Sequence, residues 1–204
     1  MIAIVDYGVG NLFSLCSSFQ KIGAETVVTS EKRVIENAEK IILPGVGAFE
    51  DAAKKLRETG LGELVKAQAK SGKYMMGICL GMQMLFDKSY EYGCHDGLGL
   101  ISGNVTPIKG FVRDGLKIPH IGWNALHFPR EHFLFRYLKE GDYAYFVHSY
   151  HATDCKDSVI ATTEYDKELT AAVAKDNVLG CQFHPEKSGD VGLNILRAFV
   201  EKKD

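Results

Sequence analysis

Two short stretches of this chain carry residue types able to do covalent chemistry. The first is Gly77-Ile78-Cys79-Leu80-Gly81, set between a run that reads as a strand, Tyr74-Met75-Met76-Gly77, and one that reads as a helix from Leu80 to Phe86. A side chain on so sharp a strand-to-helix turn is held out at the end of a sheet. This is the arrangement of a nucleophile elbow, here with cysteine in place of serine. The flanking glycines have a physical reason, because such a turn is strained and only small neighbours let its backbone pass so closely. At the start of a helix the dipole favours thiolate over thiol. The backbone N–H of Leu80 would then face the oxyanion formed when the sulfur attacks an acyl carbon. On this motif alone, a core cysteine beside packing glycines competes with the reading.

The second stretch supplies a base. Val178-Leu179-Gly180-Cys181-Gln182-Phe183 reads as a strand that ends in His184-Pro185-Glu186. Pro185 forbids helix continuation and biases His184 toward an extended conformation. Residues i and i+2 of extended chain project to one side, so Glu186 is expected to accept a hydrogen bond from one imidazole nitrogen of His184. The other nitrogen is left to take the proton of Cys79. A lone His-Pro-Glu means little, but joined to the elbow it completes a triad. The order also discriminates: α/β-hydrolases place the acid before the histidine, whereas here it follows two residues later.

The elements that must position these residues alternate in the first half of the chain. Ile2-Ala3-Ile4-Val5, Thr26-Val27-Val28, Lys40-Ile41-Ile42-Leu43 and Tyr74 to Gly77 read as strands. Between them, Leu12, Leu15, Cys16, Phe19 and Ile22 recur at helical spacing, with Asn11 as a cap and Gly23 as a stop. A helix from Ala48 to Glu58 and another ending near Gly72 follow. Alternation of this kind predicts a parallel sheet covered on both faces. The second half reads as strands joined by turns: Gly97 to Ile108, Ile118 to Phe128, Tyr143 to Tyr150, Val159 to Thr163, Thr170 to Ala174 and Val178 to Phe183. A last helix spans about Asp190 to Val200. The expected fold is α/β: one domain over residues 1–204, with a mostly parallel sheet flanked by helices and extended by antiparallel strands.

Composition narrows the function classes. Of 204 residues 25% are charged and 46% apolar, and the net charge of -2 gives no basic footprint for nucleic acid. No apolar run approaches a membrane span, and Met1 to Asp6 lacks the basic start of a signal peptide, so a cytoplasmic protein is expected. Five widely spaced cysteines (Cys16, Cys79, Cys94, Cys155 and Cys181) with no Cys-x-x-Cys pair argue for a reducing compartment and against a disulfide framework or zinc site.

Other features yield to plainer readings. Gly8-Val9-Gly10 lacks the third glycine of a dinucleotide fingerprint, since Phe13 stands there. His148 and His151 are three apart, which on one strand points their rings to opposite faces, so no metal is expected. Cys94-His95-Asp96 reads as a surface loop. Gln83 lies one helical turn past Cys79 and could reach the same pocket. Trp123, the one tryptophan, reads equally as core or as an interface residue.

Gly77-Ile78-Cys79-Leu80-Gly81-Met82-Gln83 together with His184-Pro185-Glu186 resembles the class I (triad) glutamine amidotransferases, over essentially the whole chain. Within that class the chain looks like the glutaminase subunits of imidazole glycerol phosphate synthase. Five segments carry it: Asp6 to Leu12, Pro44 to Phe49, Pro119 to Asn124, Phe146 to Tyr150 and His184 to Ser188. The resemblance implies hydrolysis of glutamine by Cys79, His184 and Glu186, with no metal and no organic cofactor. It implies an oxyanion hole from Leu80 and Gly47, and a glutamine pocket that includes Gly45, Gln83, Glu91, Ser149 and Tyr150. It also implies a heterodimer with a (β/α)8-barrel cyclase subunit that uses the ammonia in histidine biosynthesis, Asn11 and Trp123 lying in the interface. A paralogous glutaminase feeding a sugar amidotransferase in surface-polysaccharide synthesis is the alternative. A cysteine hydrolase or chaperone-like protein with a similar elbow usually has histidine directly after the cysteine, where Leu80 stands here.

Overall fold

A computed structural model describes residues 1–203. The first half holds β1 (Ile2–Val5), α1 (Leu12–Lys21), β2 (Thr26–Thr29), α2 (Lys32–Asn37), β3 (Lys40–Leu43), α3 (Phe49–Thr59), α4 (Leu61–Lys70), β4 (Met75–Ile78) and α5 (Leu80–Gln83). The second holds β5 (Lys88–Ser89), β6 (His95–Asp96), β7 (Asn104–Pro107), β8 (His120–Ala125), β9 (Tyr143–His148), β10 (Tyr150–Thr153), β11 (Val159–Tyr165), β12 (Lys167–Lys175), β13 (Val178–Cys181) and α6 (Gly189–Glu201).

One seven-stranded sheet in the order β11-β12-β13-β4-β3-β1-β2 joins the two halves. From β2 to β13 every pairing is parallel, and β12 and β11 extend that core antiparallel. The α/β class and the antiparallel extension expected from the alternating pattern are therefore present. Two smaller sheets, β10-β7-β5-β6 and β8-β9, lie beside it.

The strand residues alternate between two cores, as the pleat requires. Ala3, Val5, Ile41, Leu43 and Met75 face Phe49, Ala52, Leu56, Leu61 and Val65 of α3 and α4. Ile2, Ile4, Ile42, Met76 and Ile78 face Leu15 and Phe19 of α1 and Ile195, Leu196 and Phe199 of α6. Burial on both faces explains why these strands read as unbroken apolar runs. Gly23 ends α1 in the left-handed region at φ +73, with its N–H on Gln20 O at 3.0 Å.

Several expected elements differ. Tyr143 to Tyr150 is broken at Ser149 into two strands that join different sheets, β9 on β8 and β10 on β7. Of Gly97 to Ile108 only Asn104–Pro107 is strand, because the Gly97–Ile101 backbone instead closes the elbow's short helix. The polar helix α2, with only Ile35 buried, had no periodic signal to find.

Candidate active site

β4 lies between β3 and β13, all parallel, with Gly77 opposite both Leu43 and Gly180. The three chains therefore leave the sheet at one edge, the place where open α/β sheets build their sites. β4 runs directly into Cys79, β13 runs on to His184, and β3 runs into the Pro44–Ala48 loop. The Cys79 N–H is tied to Cys181 O at 2.8 Å, which locks the strand that leads to Cys79 to the one that leads to His184.

The elbow is strained, and glycines make it possible. Cys79 has φ 55 and ψ -112, in the positive range that non-glycine residues avoid. A Cβ on Gly81 would sit 1.9 Å from Leu43 O, and one on Gly77 would sit 2.5 Å from Gly81 O. The helix that follows is shorter than the residue pattern predicts, ending at Gln83 and not Phe86. Met84 O accepts from Leu98 N at 2.8 Å, and Leu85 O accepts from Leu100 N and Ile101 N at 2.8 and 3.0 Å. Those carbonyls are thus closed off by another segment. A single turn has little aligned dipole, so the helix favours thiolate less than a seven-residue helix would.

His184 is extended at φ -100 and ψ 99, its N–H on Tyr145 O at 2.9 Å. The residues after it are not extended as expected: Pro185–Lys187 forms a 3-10 turn closed by Lys187 N on His184 O at 3.0 Å. The turn still brings the carboxylate to the imidazole, with His184 Nδ1 and Glu186 Oε1 2.8 Å apart. Both side chains are almost sealed from water, at 3% and 1% exposed. Glu186 accepts a hydrogen bond from Nδ1–H, which leaves Nε2 turned to the other side of the ring. Nε2 is buried without a hydrogen-bond partner.

Burial alone would disfavour a charged His184 ring. Interaction with Cys79 and Glu186 outweighs it and raises the His184 pKa to about 9. At neutral pH the imidazolium is the favoured form. Across the cavity the opposite holds: burial, the first cause, lowers His148 to about 3, although Tyr150 O accepts its Nδ1 proton at 2.8 Å.

Cys79, Leu80, His184 and the Val46-Gly47 loop line one cavity of about 310 Å³. Gln83, Glu91, Ser149 and Tyr150 line the same space, so every pocket residue expected from the sequence except Gly45 borders it. Gly45 lies just beneath, where a Cβ would meet Gly81 N at 2.7 Å. Gly47 has φ +96 and open space where a Cβ would go, so its backbone angle and not crowding demands glycine. Glu91 also braces the loop, its Oε2 accepting from Phe49 N at 2.6 Å. A larger cleft of about 530 Å³ opens beside Leu56, Arg57 and His95, but Cys79 and His184 are not in it.

Asn11 and Trp123 do not line the cavity. Asn11 precedes α1 and makes no side-chain cap bond. Trp123 is 52% exposed, which removes the core reading. It stands edge-on to Tyr145 at 5.9 Å, and Lys187 Nζ lies over that tyrosine at 5.6 Å. Sequence reasoning missed Tyr7, whose buried hydroxyl donates to Pro44 O at 2.7 Å and pins the loop after β3. It also missed His148 and Pro119 of the cavity wall, and Gln182, which reaches the Cys79 sulfur.

The family model for class-I glutamine amidotransferases matches residues 3–203. Among curated relatives, the imidazole glycerol phosphate synthase subunit HisH of Sulfurimonas denitrificans is 52% identical, covering 100% of this chain and 99% of the relative. The subunit of the same name from Caldanaerobacter subterraneus is 48% identical over 98% of each chain. Among solved structures, a glutamine amidotransferase superposes with a TM-score of 0.75 at 20% identity, over 98% of this chain and 99% of that one. PurLQS from Thermotoga maritima gives 0.74 at 22%, over 97% and 96%. These two likenesses speak for the fold.

Proposed function

Because this chain belongs to the class I glutamine amidotransferase family, we propose that Cys79, His184 and Glu186 are the triad with which it hydrolyses glutamine. The protein is the glutaminase subunit of an imidazole glycerol phosphate synthase, acting in histidine biosynthesis. The observation that carries the residue assignment is the meeting of a strained Cys79 with a His184 whose Nδ1 is held by Glu186 and whose Nε2 is free. Residues 1–204 act as one domain.

The Cys79 thiolate attacks the side-chain amide carbon of glutamine. The N–H groups of Leu80 and of the Gly47 loop hold the oxyanion. As the tetrahedral intermediate collapses, the His184 imidazolium gives its Nε2 proton to the leaving ammonia, and a glutamyl thioester remains on Cys79. That step also resets the base. Cys79 is one of the two groups that raise His184, and acylation removes its charge. The ring then has only Glu186 to offset burial, and its affinity for a proton falls. Neutral His184 can take a proton from water, which attacks the thioester and releases glutamate. Gly45, Gln83, Glu91, Ser149 and Tyr150 enclose the substrate.

Ammonia in neutral water is mostly ammonium, which is not nucleophilic, so its use calls for a sealed route. We assign the acceptor to a (β/α)8-barrel cyclase subunit docked over the mouth of the cavity, with Asn11 and Trp123 in the interface. The isolated chain is a poor glutaminase, and Gly45 and Gly47 absorb the dihedral change that completes the oxyanion hole on docking. Steady-state glutaminase assays with cyclase and cyclase ligand added in turn test this. Stepwise activation is expected. Full activity from the chain alone contradicts the switch, and no response to the cyclase contradicts the assigned partner.

A further inference from the structure

Gln182, the residue after β13, is a fully buried polar side chain at the end of an apolar strand. Its backbone N–H is held by Ala171 O at 2.8 Å, so the side chain projects from a fixed point of the sheet. The orientation of its amide follows from hydrogen-bond logic. The Tyr150 carbonyl oxygen can only accept, so the Gln83 atom 3.2 Å from it is the nitrogen. That nitrogen also lies 3.0 Å from a terminal atom of Gln182, which must therefore accept and is Oε1. The remaining terminal atom of Gln182 is the NH2 group, 3.7 Å from Cys79 Sγ. A backbone carbonyl thus sets a chain of two amides that ends in an N–H aimed at the reacting sulfur.

The sulfur has a use for that donor. As a thiol it can give its proton toward Val147 O, 3.9 Å away. As a thiolate it can only accept, and the one-turn helix α5 offers it little dipole. We propose that Gln182 is a catalytic residue that donates a hydrogen bond to the Cys79 thiolate, and that Gln83 is the positioning residue that locks its amide in that sense. The inference rests on reading Cys79 as the nucleophile. It also gives Gln83 a role apart from substrate, since both of its N–H groups are occupied by the protein.

The test is the pH dependence of Cys79 alkylation by iodoacetamide in the full chain, located by peptide mass spectrometry, beside glutamine turnover with the partner present. The titratable groups around the sulfur are His184 with Glu186, Cys181, Tyr7, His148 and Glu91, and all stay in place in the variants. Gln182→Met keeps length and burial but removes the donor. It should raise the alkylation midpoint by about one pH unit, equivalent to ~1.4 kcal/mol. It should also lower kcat about tenfold, with KM for glutamine changed far less. Gln83→Met should shift the midpoint the same way, and the double variant should shift it no further than Gln182→Met alone. A folded Gln182→Met chain with unchanged midpoint and kcat overturns the inference. If that chain does not fold, an unchanged midpoint in Gln83→Met overturns it instead. Failure of Cys79 to react in the unsubstituted chain would overturn the nucleophile assignment, and this inference with it.

Discussion

Replacing Glu186 by Gln removes a charge from the triad while keeping its shape. The 2.8 Å bond to His184 Nδ1 joins two side chains at 3% and 1% exposure, so little water shares the imidazolium. The amide oxygen can still accept from Nδ1, so the tautomer survives. What is lost is the charge assistance, the difference between a charged hydrogen bond and a neutral one, about 1–1.5 kcal/mol. At a factor of ten per ~1.36 kcal/mol, kcat/KM should fall roughly 5- to 10-fold. The loss should be smaller than that of His184→Ala, which removes the proton carrier itself. Folding should change little, because Glu186 Oε2 is already buried without a partner and an amide nitrogen there is no worse placed. Glu186 is also one of the causes holding the His184 pKa at about 9, so the alkaline limb of the pH–rate profile should move to lower pH. The assay is kcat/KM for glutamine across pH 6–10, with the partner present. A rate within twofold of the unsubstituted protein, or an unmoved alkaline limb, would refute the orienting role.

Three further outcomes follow from the same geometry. Gly81→Ala should destabilise the fold by about 3 kcal/mol or more and disable the elbow, because its Cβ would lie 1.9 Å from Leu43 O; chemical denaturation measures this. His184 is raised to about 9 in the fold against an ordinary 6.5, so its contribution to stability is complete below about pH 6.5 and is lost as pH rises through 9. Melting temperature should therefore fall over that window, and the fall should begin at lower pH in Cys79→Ala, which lacks the sulfur's contribution. Trp123→Ala should change stability by about 1 kcal/mol or less, since the ring is 52% exposed, yet weaken partner binding by about 2 kcal/mol if it anchors the interface. Melting curves and titration calorimetry separate the two.

The parallel core was readable because its strands are buried on both faces and stand out as apolar runs, and α1, α3 and α6 because their apolar residues repeat at helical spacing. The elbow and His184-Pro185-Glu186 were readable because glycine and proline leave the backbone few choices there. Strand ends were not: whether the chain stays strand at Ser149 depends on which sheet lies beside it, and β9 and β10 pair with different partners. The length of α5 was hidden for a like reason, since distant residues 98–101 take its carbonyls. The extended Glu186 expected from alternation is a 3-10 turn, yet the acid still reaches the histidine. Gln182 did leave a signal, a polar residue between Cys181 and Phe183, but its target Gln83 is 99 residues away along the chain.

The central claim is that glutamine passes through a thioester on Cys79. Acid quench during turnover, followed by peptide mass spectrometry, should find a glutamyl group, glutamine less ammonia, on the peptide that contains Cys79. Cys79→Ala should carry no such group and should not turn over glutamine. A glutamyl group on another residue, or undiminished turnover by Cys79→Ala, would contradict the account.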